Sequence, residues 1–215
     1  MPMIEDKFLD EDCRFGLWEI TEDYDTMFSQ VQLVESDIER LNGFRNDKRK
    51  LESLSVRALL GQMTYKGARI VYDSTRKPFL FDGSHRISIS HSNKYTSILL
   101  SKKRRIGIDL EYMSHDIEKV SNHFINSNEF ITPDPGLRQL HFYIHWCAKE
   151  ALYKICDKKN IHFRKNLTIK PFAPNPVGET VGIHHAPGIY ETFIVRYWVQ
   201  DNYVISYCLT QDGNL

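Results

Sequence analysis

The chain has 215 residues, 41% hydrophobic and 12% aromatic, enough to bury a core as one large domain or two small ones. Its 28 basic side chains are matched by 28 acidic ones, which excludes a whole-protein footprint for nucleic acid or a membrane surface and leaves only local anion sites. The acidic opening from Met1 to Asp12 lacks an apolar signal-peptide core, and no later run approaches the ~18 apolar residues of a membrane span, so a cytoplasmic protein is expected.

Phe15 to Ile20 reads as a strand. From Asp23 to Leu41, Met27, Val31, Val34, Ile38 and Leu41 recur at three- and four-residue spacings, the stripe of one packed helix. A second helix is predicted from Arg45 to Met63, with Arg49, Lys50 and Arg57 as a basic flank. Tyr72 to Pro78 reads as a polar turn. Arg86 to Ser92 alternates strictly, with Ser88, Ser90 and Ser92 on one face and His91 at the end of the apolar one. Strands Tyr95 to Leu100 and Ile106 to Glu111 follow, joined by the basic run Lys102 to Arg105 as a solvated hairpin tip, and this order predicts an antiparallel meander.

An amphipathic helix is predicted from Asp116 to Phe130, with Ile117, Val120, Phe124 and Ile125 inward. The Pro133 to Gly136 break then precedes the longest helix, Leu137 to Ile155. His184-His185, beside Pro187 and Gly188, reads as a surface loop in preference to a metal site. Strands Thr192 to Gln200 and Tyr203 to Thr210 flank a two-residue Asp201-Asn202 hairpin turn. Cys13, Cys147, Cys156 and Cys208 are far apart and form no Cys-x-x-Cys pair, so they are expected to be buried small hydrophobes rather than disulfide or zinc partners. The order of elements predicts an α+β protein of two halves, residues 1–105 and 106–215, with no residue-level repeat between them.

Two segments carry chemistry. As a strand, Ile106 to Glu111 projects Asp109 and Glu111 from one face. On the long helix, Glu150 and Lys154 lie one turn apart on a face beside the apolar stripe. Taken singly, these are ordinarily a half-exposed strand and a solvated helix pair. Placed together in apolar surroundings, the charges need a reason. Three carboxylates suit a hard divalent ion that keeps waters and takes further ligands from a substrate phosphate.

With these residues in view, the chain resembles the 4′-phosphopantetheinyl transferase superfamily in its long, single-chain, surfactin synthetase-activating form. The resemblance rests on the apolar-Gly-apolar-Asp-x-Glu strand Ile106 to Glu111 and on Trp146, Lys149, Glu150 and Lys154 in Trp-x-x-Lys-Glu-x-x-x-Lys order. Lys77-Pro78 and Ser90-His91-Ser92 precede them in the family's order.

The resemblance implies transfer of the 4′-phosphopantetheine arm of coenzyme A, the substrate, to a serine of an apo acyl or peptidyl carrier protein, releasing adenosine 3′,5′-bisphosphate. It implies a pseudo-twofold pair of α+β halves with coenzyme A in the cleft, and hence a monomer; the balanced charge and the lack of an apolar span predict no nucleic-acid or membrane partner. It places Mg2+ on Asp109, Glu111 and Glu150, the pyrophosphate on Lys154, and the serine proton on Glu150 or a water that Glu150 orients. The nucleotide phosphates fall to Lys77, Ser90, His91 and Arg57, with Arg49 and Arg57 near the 3′-phosphate, and Lys149 supports the site or the nucleotide end.

Two departures from the family pattern stand out: Asp157 to His162 lacks the glycines common after the last lysine, and Cys147 occupies a position commonly serine. The rival readings are a silent coenzyme A-binding homologue and a magnesium-dependent pyrophosphate hydrolase.

Overall fold

The computed structural model describes residues 3–156 and 160–210. Asp157, Lys158 and Lys159 of the glycine-free loop lie outside the described residues. The chain is mixed α+β, its small antiparallel sheets packed with helices and none closed into a barrel. It divides into two compact units, Met1–Lys103 and Arg104–Leu215.

The N-terminal unit is built on the sheet β1-β2-β6-β5, with β1 Met3–Phe8, β2 Cys13–Glu19, β5 Arg86–Ser92 and β6 Tyr95–Ser101. A separate hairpin pairs β3 Ile70–Tyr72 with β4 Pro78–Leu80, and the expected turn joins these two short strands. Asp73 shapes that turn: its Oδ1 accepts the Thr75 and Lys77 backbone N–H groups at 2.8 and 2.9 Å, which leaves Lys77 at the entrance to β4.

The helix expected from Asp23 to Leu41 is two helices, α1 Tyr24–Gln30 and α2 Glu35–Asn42, with Val31 extended between them. Asp37 accounts for the restart. Its carboxylate accepts the Val34 N–H at the head of α2 and pairs with Arg57 of α3, Asp47–Met63. Met27 and Leu41 stay buried, but Ile38 is exposed. Both helices pack into one core with Trp18, Leu54, Leu59, Leu60 and Ile98.

The C-terminal unit carries the sheet β7-β11-β10-β9-β8, comprising β7 Ile106–Tyr112, β8 Leu167–Ile169, β9 Val177–Ala186, β10 Ile189–Gln200 and β11 Tyr203–Leu209. The expected meander therefore ends at β6, because β7 pairs with β11 and not with β6. Lys102 to Arg105 is not a hairpin tip. Asp12 accepts the Lys102 backbone N–H at 3.0 Å, and Arg105 bonds the Ile155 carbonyl at 2.9 Å, so the run is held at both ends. At the tip between β10 and β11, Asp201 and Asn202 both have positive φ, 48° and 65°, as a type I′ turn requires.

His184 and His185 lie on β9, not in a loop; the turn is Pro187-Gly188, with Gly188 at φ 76°. The four cysteines are all buried and none is in a disulfide. No helix among the described residues is long and apolar enough to cross a membrane.

The central helix is α4, Pro135–Ile155. Asp134 caps it by accepting the Gly136 N–H at 2.8 Å, and Pro135 occupies its first turn, where a missing N–H costs nothing. One face, Ala148, Ala151, Leu152 and Ile155, packs on Leu167, Ile169, Phe193 and Val195 of the sheet. Farther toward its start, Tyr143, Ile144 and Cys147 pack with Ile117, Phe124, Tyr197 and Val204. The helix expected from Asp116 to Phe130 is only a 3-10 segment, Ile117–His123, and Val120 is exposed. Lys149 of α4 draws the Phe124 carbonyl and the Glu129 carboxylate to its ammonium, which fixes 124–129 in a non-helical path.

Two histidines on α4 make this unit sensitive to acid. His141 is fully buried, and its Nδ1 accepts the Thr132 backbone N–H at 3.0 Å, a bond that a protonated ring would lose. Burial, reinforced by the neighbouring His145, lowers its pKa from 6.5 to about 4. An unfolded chain takes up this proton near 6.5 while the folded one refuses it until about 4. Stability should therefore fall as the pH drops through that window, by up to ~3 kcal/mol from this ring. Urea unfolding at pH 7.5 and 4.5 checks this: His141→Asn, which keeps an acceptor, should show a smaller pH difference than the wild type, and an unchanged difference would refute the assignment.

Candidate active site

In a strand, alternate residues share a face, and on β7 Gly107, Asp109 and Glu111 turn toward α4. Gly107 explains how closely the two elements approach. A Cβ there would lie 2.1 Å from the Ala151 carbonyl oxygen, so any side chain would push the helix off the strand. Asp109 is 4% exposed, and its Oδ1 accepts from Lys154 Nζ at 2.7 Å. The same ammonium donates to the Ile108 carbonyl at 2.9 Å. Farther along the strand, Glu111 Oε1 accepts the Trp146 indole N–H at 3.1 Å. That indole is fixed between the Phe124 and Phe163 rings, at centroid distances of 5.2 and 5.5 Å.

Trp146, Glu150 and Lys154 are spaced i, i+4, i+8 and form one row on α4. Both ends of the row touch acids of β7, and Glu150 sits midway between them. The row is about 12 Å long and spans the ~7 Å that separates Asp109 from Glu111 along the strand. Asp109 and Glu111 thus each meet this row, through Lys154 and Trp146 respectively.

Electrostatics favour a hard cation there. Burial pushes the Cys147 thiol well up, and the charges of Asp109 and Glu111 push the same way. The sulfur stays protonated, donating to the Val204 carbonyl at 3.4 Å, and offers no thiolate. Asp109 and Glu111 offer oxygen donors with no thiolate beside them, the donor type that suits Mg2+.

Lys149, the other lysine of the motif, is fully buried. Its ammonium donates to Glu129 Oε2 at 2.7 Å and to the Phe124 and Phe163 carbonyls. These contacts hold Lys149 within the fold of this unit. Glu129 was not singled out from the sequence, because it lies in a polar stretch, Asn126-Ser127-Asn128, that gives no sign of burial.

The remaining predicted residues lie in the N-terminal unit. Arg49 and His91 meet at one carboxylate, Glu52, at 3.3 and 3.5 Å. Glu52 is 6% exposed, and its only sequence signal is the i,i+3 spacing from Arg49. Next to it, Ser55 of α3 bonds Thr96 of β6 at 2.7 Å, and Thr96 pairs with His91 in the sheet. Ser90 is buried, its carbonyl accepting from the Ser97 hydroxyl at 3.4 Å. Arg57 does not join Arg49. It is buried, paired with Asp37 and bonded to the Ser53 carbonyl and hydroxyl at 2.8 Å, at the wall of a cleft of about 450 Å³ shared with Trp18, Gln62 and Lys66.

Residues 105–208 match the family model of the 4′-phosphopantetheinyl transferase superfamily, a stretch just under half the length of the chain. The match supports phosphopantetheine transfer in general; the family uses coenzyme A as substrate and has carrier proteins as partners. No curated protein matches the chain.

Proposed function

We propose that the chain is a magnesium-dependent 4′-phosphopantetheinyl transferase of the long, surfactin synthetase-activating type, acting on coenzyme A and an apo acyl or peptidyl carrier protein. The observation that carries this reading is the row Trp146-Glu150-Lys154 laid against Asp109 and Glu111, inside the stretch that matches the family.

The carrier serine oxygen attacks the β-phosphorus of coenzyme A, and the bond from that phosphorus to the bridging oxygen breaks. Adenosine 3′,5′-bisphosphate leaves with the bridging oxygen. Held by Asp109, Glu111 and Glu150, Mg2+ would neutralise charge on the phosphoryl oxygens. Lys154 binds the pyrophosphate, its ammonium already oriented by Asp109 and the Ile108 carbonyl. Glu150, or a water that it orients, accepts the serine proton. Lys77, Ser90, His91 and Arg49 are assigned to the nucleotide phosphates, for which guanidinium, imidazole and ammonium donors are suited, while Arg57 is left to its buried pair with Asp37.

The test is mass spectrometry of apo acyl and peptidyl carrier proteins incubated with the protein, coenzyme A and Mg2+. The expected result is a gain of the phosphopantetheine mass on the carrier, matched by equimolar adenosine 3′,5′-bisphosphate. Nucleotide breakdown over an unmodified carrier would show a hydrolase instead.

A further inference from the structure

We propose that Cys156, His184 and Glu191 form a second cation site, for a borderline divalent ion of the zinc class. Cys156 closes the C-terminal end of α4, while His184 on β9 and Glu191 on β10 are directly paired across the two strands. One ligand atom from each lies within 4.8 Å of the other two. His184 Nδ1 and Glu191 Oε2 are 3.2 Å apart. Two ligands bound tetrahedrally at ~2.0–2.1 Å are held about 3.3 Å apart, so an ion needs no rearrangement of this pair.

The surroundings hold the ligands in place. His184 is 5% exposed and Cys156 8%. Arg105 occupies the other Glu191 oxygen at 2.8 Å and also bonds the Ile155 carbonyl, which ties the carboxylate to the end of the helix. Such outer contacts orient ligands for a metal. Burial opposes the charge on Glu191, but Arg105 and His184 outweigh it and keep the carboxyl below its ordinary range.

A set of one sulfur, one nitrogen and one oxygen donor excludes a preference for magnesium and selects zinc-like ions, with a fourth position for water. On binding, the sulfur–metal bond forms as the Cys156 thiol proton passes to solvent, and the Nδ1 proton that His184 shares with Glu191 moves to Nε2 so that Nδ1 can ligate. The ion would clasp the last turn of α4, two residues beyond Lys154, to the β9–β10 hairpin.

Titration of the full chain with zinc chloride against a competing chelator tests this. Co2+ provides a thiolate-to-metal absorption that a site made only of oxygen ligands cannot produce. One zinc per chain is expected, at least ~10-fold weaker binding in Glu191→Gln and in Cys156→Ser, and loss of the Co2+ thiolate band in Cys156→Ser but not in Cys13→Ser. Glu191→Gln retains an acceptor for Arg105 on a partly exposed strand, so its folding can be checked independently by circular dichroism. Absence of stoichiometric zinc, or zinc bound equally well by both variants, would overturn the proposal. Neither outcome depends on transferase activity.

Discussion

Glu150→Gln is expected to lower the rate of carrier modification by at least ~10²-fold, the usual worth of a positioned base or of one electrostatic contact to developing phosphoryl charge. The substitution keeps the shape of the side chain and removes its charge. Glu150 is only partly buried, midway along the row whose neighbours touch β7, so stability should move by no more than ~0.5 kcal/mol. Activity and unfolding are thereby separated. Asp109→Asn is a sterner change, because Lys154 keeps the Ile108 carbonyl but loses the charge of its carboxylate partner. Single-turnover rates at saturating coenzyme A and Mg2+, measured beside urea unfolding curves, distinguish the two. Wild-type rates in Glu150→Gln would remove the three-carboxylate site and, with it, the proposed chemistry.

What the sequence made legible follows from how local each signal is. Strict alternation from Arg86 to Ser92 marked β5 to both ends, and the long apolar stripe marked α4, because neither depends on a distant partner. The shared faces of the candidate residues were legible for the same reason. Glu150 and Lys154 share a face by helix spacing alone, and Asp109 and Glu111 by strand alternation alone.

The misses come from long-range partners. An apolar stripe at three- and four-residue spacing cannot distinguish one helix from two, and the break between α1 and α2 is set by Arg57, twenty residues beyond Asp37 in the chain. The meander failed because β7 finds β11 across about a hundred residues, a pairing that no local pattern encodes. The β9 strand was hidden by glycines: Gly182 is packed against Leu152, where a side chain would collide, and its loss of strand propensity is a packing requirement. Arg57 carries the same lesson at the level of function, since a basic helix flank gave no hint that this guanidinium is buried against Asp37.

The largest expected loss of stability comes from Lys149→Met, at about 3–5 kcal/mol, the cost of leaving one member of a buried ion pair uncompensated. Both side chains are fully buried. Besides Lys149, Glu129 Oε2 accepts the Asn126 N–H at 2.8 Å and Oε1 the Ile169 N–H at 2.7 Å, and His145 Nδ1 lies 3.7 Å from Oε1. Burial pushes the Glu129 carboxyl up, but His145, Lys149 and the Asn126 N–H outweigh it and hold the pKa below the ordinary value. Burial likewise lowers Lys149, more than Glu129 restores. The pair is therefore strained by desolvation yet complete in its hydrogen bonds, which makes removal of one partner more damaging than removal of both. Lys149→Met combined with Glu129→Gln should recover part of the loss. Because the pair holds Phe124 and Phe163 against the Trp146 indole, the single variant should also weaken the indole's hold on Glu111. The readout that separates the two effects is transfer activity in the double variant: stability restored with activity still low would mean that the buried pair positions the Trp146-Glu150-Lys154 row as well as supporting the fold.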